Sequence, residues 1–301
     1  MNVSVVIPNY NGQKLLEKHL PSVIKMLRPE DECIVVDDCS TDDSVSLLNK
    51  KYPSVHVVRH TKNFRYAASC NDGVREAKHD IVLLLNNDVS PEEDVLRHLL
   101  IHFEDAYVFA VGCAEKNEQG VWSGRSSAVF RHGLIIHQRA DEQRSGSTLW
   151  ASGGSMMVRR SLYLKIGGMD TLFHPAYEED RDLSYRAIKM GYRVLFDEHA
   201  RVFHDHQTTN VSVFGERSMR LASRRNSLLF LWKNLTDRDL VLSHLFWLPY
   251  HILIDSIRTN GEFGVAFFQA LLKLPIALIR RNAHSKMWRL SDREVLHAGH
   301  D

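Results

Sequence analysis

Apolar residues in this chain fall into short unbroken runs that alternate with stretches of helical spacing. Val3–Ile7, closed by Pro8, predicts a buried strand. Gln13–Leu27 carries Leu15, Leu16, His19, Leu20, Val23, Ile24 and Leu27 at helical intervals, with Pro21 placed to kink the helix. Cys33–Asp37, Val55–Arg59, Asp80–Asn86 and Tyr107–Cys113 read as four more strands. Between them, helices are expected over Thr41–Asn49 (capped by Ser40), over Tyr66–Ala77, and from the Ser90-Pro91-Glu92-Glu93 capping signature to Phe103. Strands alternating with helices predict an α/β fold, a mostly parallel sheet with helices on both faces. Ligands of such sheets bind beyond the carboxyl ends of the strands. Polar clusters stand at those ends here: Pro8–Gly12, Asp37–Asp43 and Asn86–Val89.

From Ala114 to Leu149 the periodicity weakens, and only loops and short strands are predicted. Order returns at Ser152–Arg159, followed by a helix from Ser161 to Gly167-Gly168, a helix over Asp180–Met190 closed by Gly191, and short strands at Arg193–Phe196 and Arg201–His204. Two apolar stretches follow, Leu240–Ile257 and Phe263–Ile279, both interrupted by polar residues or proline. They are expected to lie in a membrane interface or on the domain rather than to span a bilayer.

A composition of 44% hydrophobic and 25% charged residues excludes a disordered or collagenous chain and provides ample material for a core. The net charge of +1 is unevenly divided: residues 217–301 hold 13 Lys and Arg against 7 Asp and Glu, leaving the preceding body mildly acidic. A basic, apolar tail predicts contact with anions, a membrane surface first and nucleic acid second, and the long apolar runs that accompany the basic residues disfavour nucleic acid. The four cysteines show no CxxC spacing and are expected to be reduced and structural. The N-terminal run has no basic segment before it and ends at Pro8, so no signal peptide is expected and a cytoplasmic location follows, peripheral at the inner face of the cell membrane.

The segments VVIPNYNG (5–12), VVDDCSTD (35–42), LLLNNDV (83–89), GGSMMVRRS (153–161), GGMD (167–170), YEEDRDLSYRAIKMGYRV (177–194) and VFHDH (202–206) occur in the order seen in the inverting family 2 glycosyltransferases of GT-A fold. The chain resembles that family, and within it the bacterial rhamnosyltransferase-type enzymes of cell-surface polysaccharide synthesis. The resemblance implies a catalytic domain over 1–215, with a nucleotide-binding half (1–113) and an acceptor half (114–215), followed by a helical C-terminal region (216–301).

It also implies a single displacement at an anomeric carbon, in which an acceptor hydroxyl attacks and a nucleoside diphosphate leaves. Pro8, Tyr10 and Asn11 would line base and ribose. Asp37 or Asp38 would accept a hydrogen bond from the base, a task suited to a group that only accepts. Asn63 and Arg65 are placed to meet the nucleotide or its phosphates. The family's DxD motif aligns with Asn86-Asn87-Asp88, so Asp88 alone offers a charge to Mg²⁺ or Mn²⁺, and the metal is expected to arrive with the nucleotide. His204 resembles a further metal ligand, with His206 as the alternative. The EDxDL pattern places the general base at Asp180; Glu179 would touch acceptor hydroxyls and Asp182 would fix the helix or an arginine. Gly153 and Gly154 would flank the acceptor, with Trp150 as a sugar-stacking surface. Two other readings are a sugar-1-phosphate nucleotidyltransferase, disfavoured by a Pro-Asn-Tyr-Asn-Gly loop where a basic Gly-rich one is needed, and a non-catalytic nucleotide- or glycan-binding module, favoured only by Asn86.

Overall fold

A computed structural model of the chain describes residues 1–116, 119–205 and 214–298. The central sheet contains β1 (Val3–Asn9), β2 (Glu32–Asp37), β3 (His56–Arg59), β4 (Ile81–Leu85), β5 (Val89–Pro91), β6 (Val108–Lys116), the short β7 (Trp122–Ser123) and, further along the chain, three more strands. A separate hairpin pairs β8 (Ser126–Arg131) with β9 (Leu134–Arg139). The remaining sheet strands are β10 (Gly146–Ser147), β11 (Ser155–Arg159) and β12 (Arg193–His204). The order across the sheet is β10-β12-β6-β11-β4-β1-β2-β3. β3, β2, β1 and β4 run parallel, whereas β11 lies antiparallel between β4 and β6.

The helices α1 (Gln13–Met26), α2 (Ser44–Lys51), α3 (Tyr66–Glu76), α4 (Val95–Leu100), α5 (Arg160–Ile166) and α6 (Glu179–Lys189) are followed by a C-terminal set. That set is α7 (Glu216–Asn234), α8 (Arg238–Tyr250, prolonged through a π turn to Arg258), α9 (Glu262–Ser285) and α10 (Asp292–His297). One apolar core, with Leu16, Leu20, Leu48 and Leu99, fills the sheet face under α1, α2 and α4. The other holds Val74, Tyr163 and Leu183 together with Leu229 and Phe230 of α7, Ala270 and Ala277 of α9, and Val295 of α10. The C-terminal helices therefore close the same core as the sheet.

Three expectations need correction. Ser90 and Pro91 do not start a helix: they form β5, whose backbone pairs with β12, and the helix begins only at Val95. Tertiary pairing has overridden a local capping signature. Ser40 caps no helix; its hydroxyl accepts the Asn11 amide at 2.9 Å, and α2 starts at Ser44. The two short strands expected at Arg193–Phe196 and Arg201–His204 are one strand, β12, with a register shift against β6 between Asp197 and Arg201. The four cysteines are unpaired, and Cys33, Cys70 and Cys113 are buried.

A buried ionic cluster joins α7 to α6. The Lys233 ammonium, fully buried, lies 2.8 Å from both oxygens of Asp182 and 2.6 Å from Asp170. Asp182 also accepts from Arg186 Nε and Asn234 Nδ2, each at 2.8 Å. The Arg186 guanidinium donates in addition to the carbonyls of Ile166 and Gly168. Asp182 thus fixes the helix and an arginine, as anticipated. Burial alone would raise the Asp170 carboxyl, but the Lys233 charge outweighs it and holds it at about 2. Removing one partner of such a cluster leaves an uncompensated buried charge, at a cost of ~3–5 kcal/mol. Lys233→Met is expected to lose that much in urea unfolding near pH 7. Because Asp170 is depressed from 3.8 to about 2, its share of the loss is full above pH ~4 and shrinks as pH falls toward 2. A variant as stable as wild type at neutral pH would contradict the cluster's role.

Candidate active site

The register of β12 builds the first half of the site. Its last residues pair antiparallel with β5, so His204 stands opposite Val89, next to Asp88. His204 Nε2 lies 3.2 Å from Asp88 Oδ1, and its Nδ1 lies 3.0 Å from Glu115 Oε2 at the end of β6. Glu115 also accepts from Ser155 Oγ at 2.6 Å. Burial pulls the imidazole toward its neutral form, but the Asp88 and Glu115 carboxylates outweigh it and raise His204 to about 10. Asp88 Oδ1 is buried, and its partner is the ion-pair contact with His204 Nε2. A buried carboxylate oxygen facing an imidazole nitrogen fits a divalent cation once that nitrogen is deprotonated. No group of three or more His, Cys, Asp or Glu side chains among the described residues is disposed to hold a metal, so Asp88 and His204 would leave most coordination positions to substrate oxygens. The next residue, Asp205, is anchored by Lys18 and by His19 Nε2 at 3.3 Å, and His19 Nδ1 meets Ser90 Oγ at 2.8 Å. His206 lies outside the described residues.

β11 supplies the link to the second half. Being antiparallel to its neighbours, it starts at the edge where the parallel strands end, and this brings the preceding Gly153-Gly154 to that edge. The Gly153 amide donates to Asp180 Oδ2 at 3.1 Å. A Cβ on Gly153 would meet the Tyr66 hydroxyl at 3.0 Å and Asp180 Cβ at 3.4 Å. A Cβ on Gly154 would meet Asn86 Nδ2 at 2.8 Å and His204 Cε1 at 3.2 Å. This turn accordingly touches Asp180 on one side and the Asn86–His204 pair on the other. Asp180 and His204, read from distant stretches of sequence, thus flank one two-residue turn, with Asp88 beside His204.

Asp180 lies in the first turn of α6. The loop before it is strained, with Tyr177 and Glu178 at φ of +73° and +78°, a conformation costing ~1–3 kcal/mol per residue. Asn226 of α7 holds it by donating to the carbonyls of Phe173, Ala176 and Tyr177. Glu178 accepts from Ser227 Oγ and from Arg181, each at 3.0 Å. Glu179 is buried, and one of its carboxyl oxygens has no partner. Burial first, then the neighbouring Asp180 charge, push it up to about 8. Trp150 is half-buried with the Arg181 guanidinium 4.9 Å from its ring centre and His137 edge-on to it.

The residues expected to hold the nucleotide occupy the other strand ends, and most already serve the protein. Asp37 accepts from Asn9 Nδ2 at 3.2 Å and from the Ser40 amide at 3.1 Å. Asp38 accepts the amides of Phe64 and Arg65, each at 2.7 Å, and meets His60 Nδ1 at 2.8 Å. Asn63 Oδ1 accepts the Arg65 amide at 3.0 Å. Asn11 Oδ1 accepts from Thr41, and Asn87 Nδ2 donates to Asn9 Oδ1 at 2.9 Å. Pro8 and Tyr10 are half-buried beside them. Asp37, Asp38, Asn11, Asn63 and Asn87 thus first build the loops that border the cleft. The sequence reading missed Asn9, which ties β1 to β2 and to Asn87. It also missed Glu115, a charge ending an apolar strand, and Tyr66, whose buried hydroxyl lies against the Gly153 turn.

Residues 4–167, more than half of the chain, match the glycosyl transferase family 2 domain. The chain belongs to glycosyl transferase family 2. Membership makes it a transferase and sets aside the nucleotidyltransferase and the non-catalytic module. The O-antigen chain rhamnosyltransferase RfbN of Salmonella typhimurium is 25% identical over 217 residues, covering 69% of this chain and 68% of that protein. The pre-mycofactocin glycosyltransferase of Mycobacterium tuberculosis is 31% identical over 69% of this chain, but the match covers only 43% of its own length. Among solved structures, GalNAc-T7 with UDP, GalNAc and Mn²⁺ superposes with a TM-score of 0.63 at 17% identity, covering 79% of this chain and 48% of that one. TarS residues 1–349 of S. aureus with UDP-GlcNAc gives 0.61 at 16% identity, covering 99% and 91%. These likenesses show the GT-A fold for this family 2 member.

Gly154→Ala is expected to lower turnover at least tenfold with little change in melting temperature, because its methyl would displace Asn86 or His204. Turnover within threefold of wild type would show that the close approach has no bearing on the site.

Proposed function

We propose that this transferase moves a sugar, with inversion, from a nucleoside-diphosphate donor to a hydroxyl of a glycan or lipid-linked acceptor in cell-surface polysaccharide synthesis. The observation that carries the reading is the Gly153-Gly154 turn, which meets Asp180 on one side and the Asn86–His204 pair on the other. Asp180 is the general base. Its Oδ2 is oriented by the Gly153 amide and its Oδ1 by the Arg181 amide at 2.8 Å, so it faces the cleft in a fixed position to take the acceptor proton. Asp88 and His204 would hold Mg²⁺ or Mn²⁺, which would supply positive charge to the departing diphosphate; GalNAc-T7 and the mannosyltransferase PcManGT of Pyrobaculum calidifontis were solved with Mn²⁺. To ligate a metal, His204 must give up the proton that Asp88 and Glu115 stabilise. The loops of Pro8–Asn11, Asp37–Asp38 and Asn63–Arg65 border the nucleotide, and Trp150, Glu179 and the two glycines border the acceptor. Similarity to RfbN supports a polysaccharide acceptor.

The enzyme works at the inner face of the cell membrane as a peripheral protein. Arg238–Arg258 and Glu262–Ser285 are long and apolar enough to cross a bilayer. Each, however, turns one side to the protein, Leu240, His244 and His251 on α8 and Phe263, Ala266 and Ala270 on α9. The opposite sides expose apolar groups, led by Phe246 (78%) and Leu272 (83%). A helix docked along one side and apolar on the other suits the interface plane, with Arg258, Arg280 and Lys286 toward headgroups.

Asp180→Asn is expected to reduce transfer by ~10²–10⁴-fold while melting temperature and donor affinity stay unchanged; turnover within tenfold of wild type would exclude Asp180 as the base. Sedimentation with anionic vesicles is expected to pull down the protein, and 0.5 M salt to release most of it. Retention through high salt and alkali would instead mean inserted helices.

A further inference from the structure

A cavity of about 690 Å³ lies between the loop after β3 and the helices α7 and α9. Lys62, Arg65, His174 and Arg225 are in its wall, with Phe214 and Gln269. Among the described residues no carboxylate pairs with Lys62, Arg65 or Arg225. The Arg225 guanidinium donates only to the His174 carbonyl and to Asn226 Oδ1. Arg65 is held at φ +74° by Asp38 and Asn63 and lays its guanidinium over the Phe214 ring at 4.6 Å. Asp38, just after β2, is engaged by the Phe64 and Arg65 amides and by His60. Three unpaired cations around one cavity select an anion with several oxygens.

The rim shows what that anion is attached to. Gln269 shares a helical face with Val265, Leu272 and Ile276, and these three are 41%, 83% and 48% exposed. A cationic cavity that opens onto an uncovered apolar stripe matches an amphiphile with a multiply charged head. The wall also leads toward the reacting end of the cleft, because Arg225 and Asn226 hold the His174–Tyr177 segment that precedes Asp180.

We propose that this cavity binds the diphosphate head of the acceptor lipid, whose chain runs along the exposed face of α9. The inference rests on the reading that the acceptor is lipid-linked. Lys62 and Arg225 clamp the phosphates, Arg65 closes the side next to the nucleotide loops, and the sugar end extends toward Asp180.

Calorimetric titration of the full chain with farnesyl diphosphate, farnesol and inorganic pyrophosphate tests it. Farnesyl diphosphate is expected to bind at least tenfold more tightly than either of the others. Lys62→Gln, an exposed position whose change leaves the fold intact, and Arg225→Gln are each expected to weaken it at least fivefold. Asp88→Asn is expected to leave it unchanged. Unaltered affinity in the Lys62→Gln/Arg225→Gln double variant overturns the proposal. Pyrophosphate binding as tightly as farnesyl diphosphate overturns the lipid as its source. Loss in Asp88→Asn, or displacement by UDP or GDP, assigns the cations to the donor and overturns it as well. No donor sugar or turnover is needed, so a protein that transfers sugar without binding farnesyl diphosphate refutes this inference alone, and one that binds it but transfers nothing refutes only the function proposed above.

Discussion

The buried contact between Lys233 and the carboxylates of Asp182 and Asp170 fixes the position of α6 against α7. Asp182 lies two residues beyond Asp180 in the first turns of α6, so a clamp on one sets the other. Three donor groups of α6 and α7, Arg186, Lys233 and Asn234, converge there in a buried space, where an unmatched charge is costly. That constraint explains why α7 cannot drift from the sheet, and why it can also hold two residues of the preceding loop in left-handed conformation through Asn226 and Ser227. The C-terminal helices are part of what holds α6 and the loop before it in place.

The donor side is set by strand register instead. Pairing of β12 with β5 places His204 beside Asp88, and the reversed direction of β11 brings a glycine pair to the edge where the parallel strands end. The two halves meet at Gly153-Gly154, where no side chain intervenes. Charge is graded across the cleft. An imidazolium between two carboxylates stands at one end, and a crowded carboxyl pair in α6, with Glu179 raised beside Asp180, stands at the other. A cation and a departing diphosphate suit the first environment, and proton abstraction suits the second.

The sheet was legible because buried parallel strands are written as continuous apolar runs: Val3–Ile7 and Ile81–Leu85 needed no context. The clusters at the strand ends followed from the sheet. Local signals failed where a long-range partner competed for the same backbone. Ser90-Pro91 carries a helix-start signature, yet its backbone pairs with a strand more than a hundred residues later. Glu115 and Asn9 were missed because nothing local separates a charged or polar residue at the end of an apolar strand from an ordinary surface residue; their value comes from His204 and Asn87, far away in sequence. The expected nucleotide contacts at Asp37 and Asp38 followed from a pattern of residues, but the loop amides these acids accept could be seen only in three dimensions.

The proposed function requires Asp88 and His204 to face phosphate and Asp180 to face the acceptor within one cleft. Anomalous scattering from crystals soaked in Mn²⁺ and a nucleoside diphosphate addresses it most directly. The account predicts one strong peak within about 2–2.5 Å of an Asp88 oxygen and His204 Nε2, with the diphosphate completing the coordination and the nucleotide lying over the ends of β1 and β2. A peak held by other residues, or nucleotide density away from those strand ends, would contradict it.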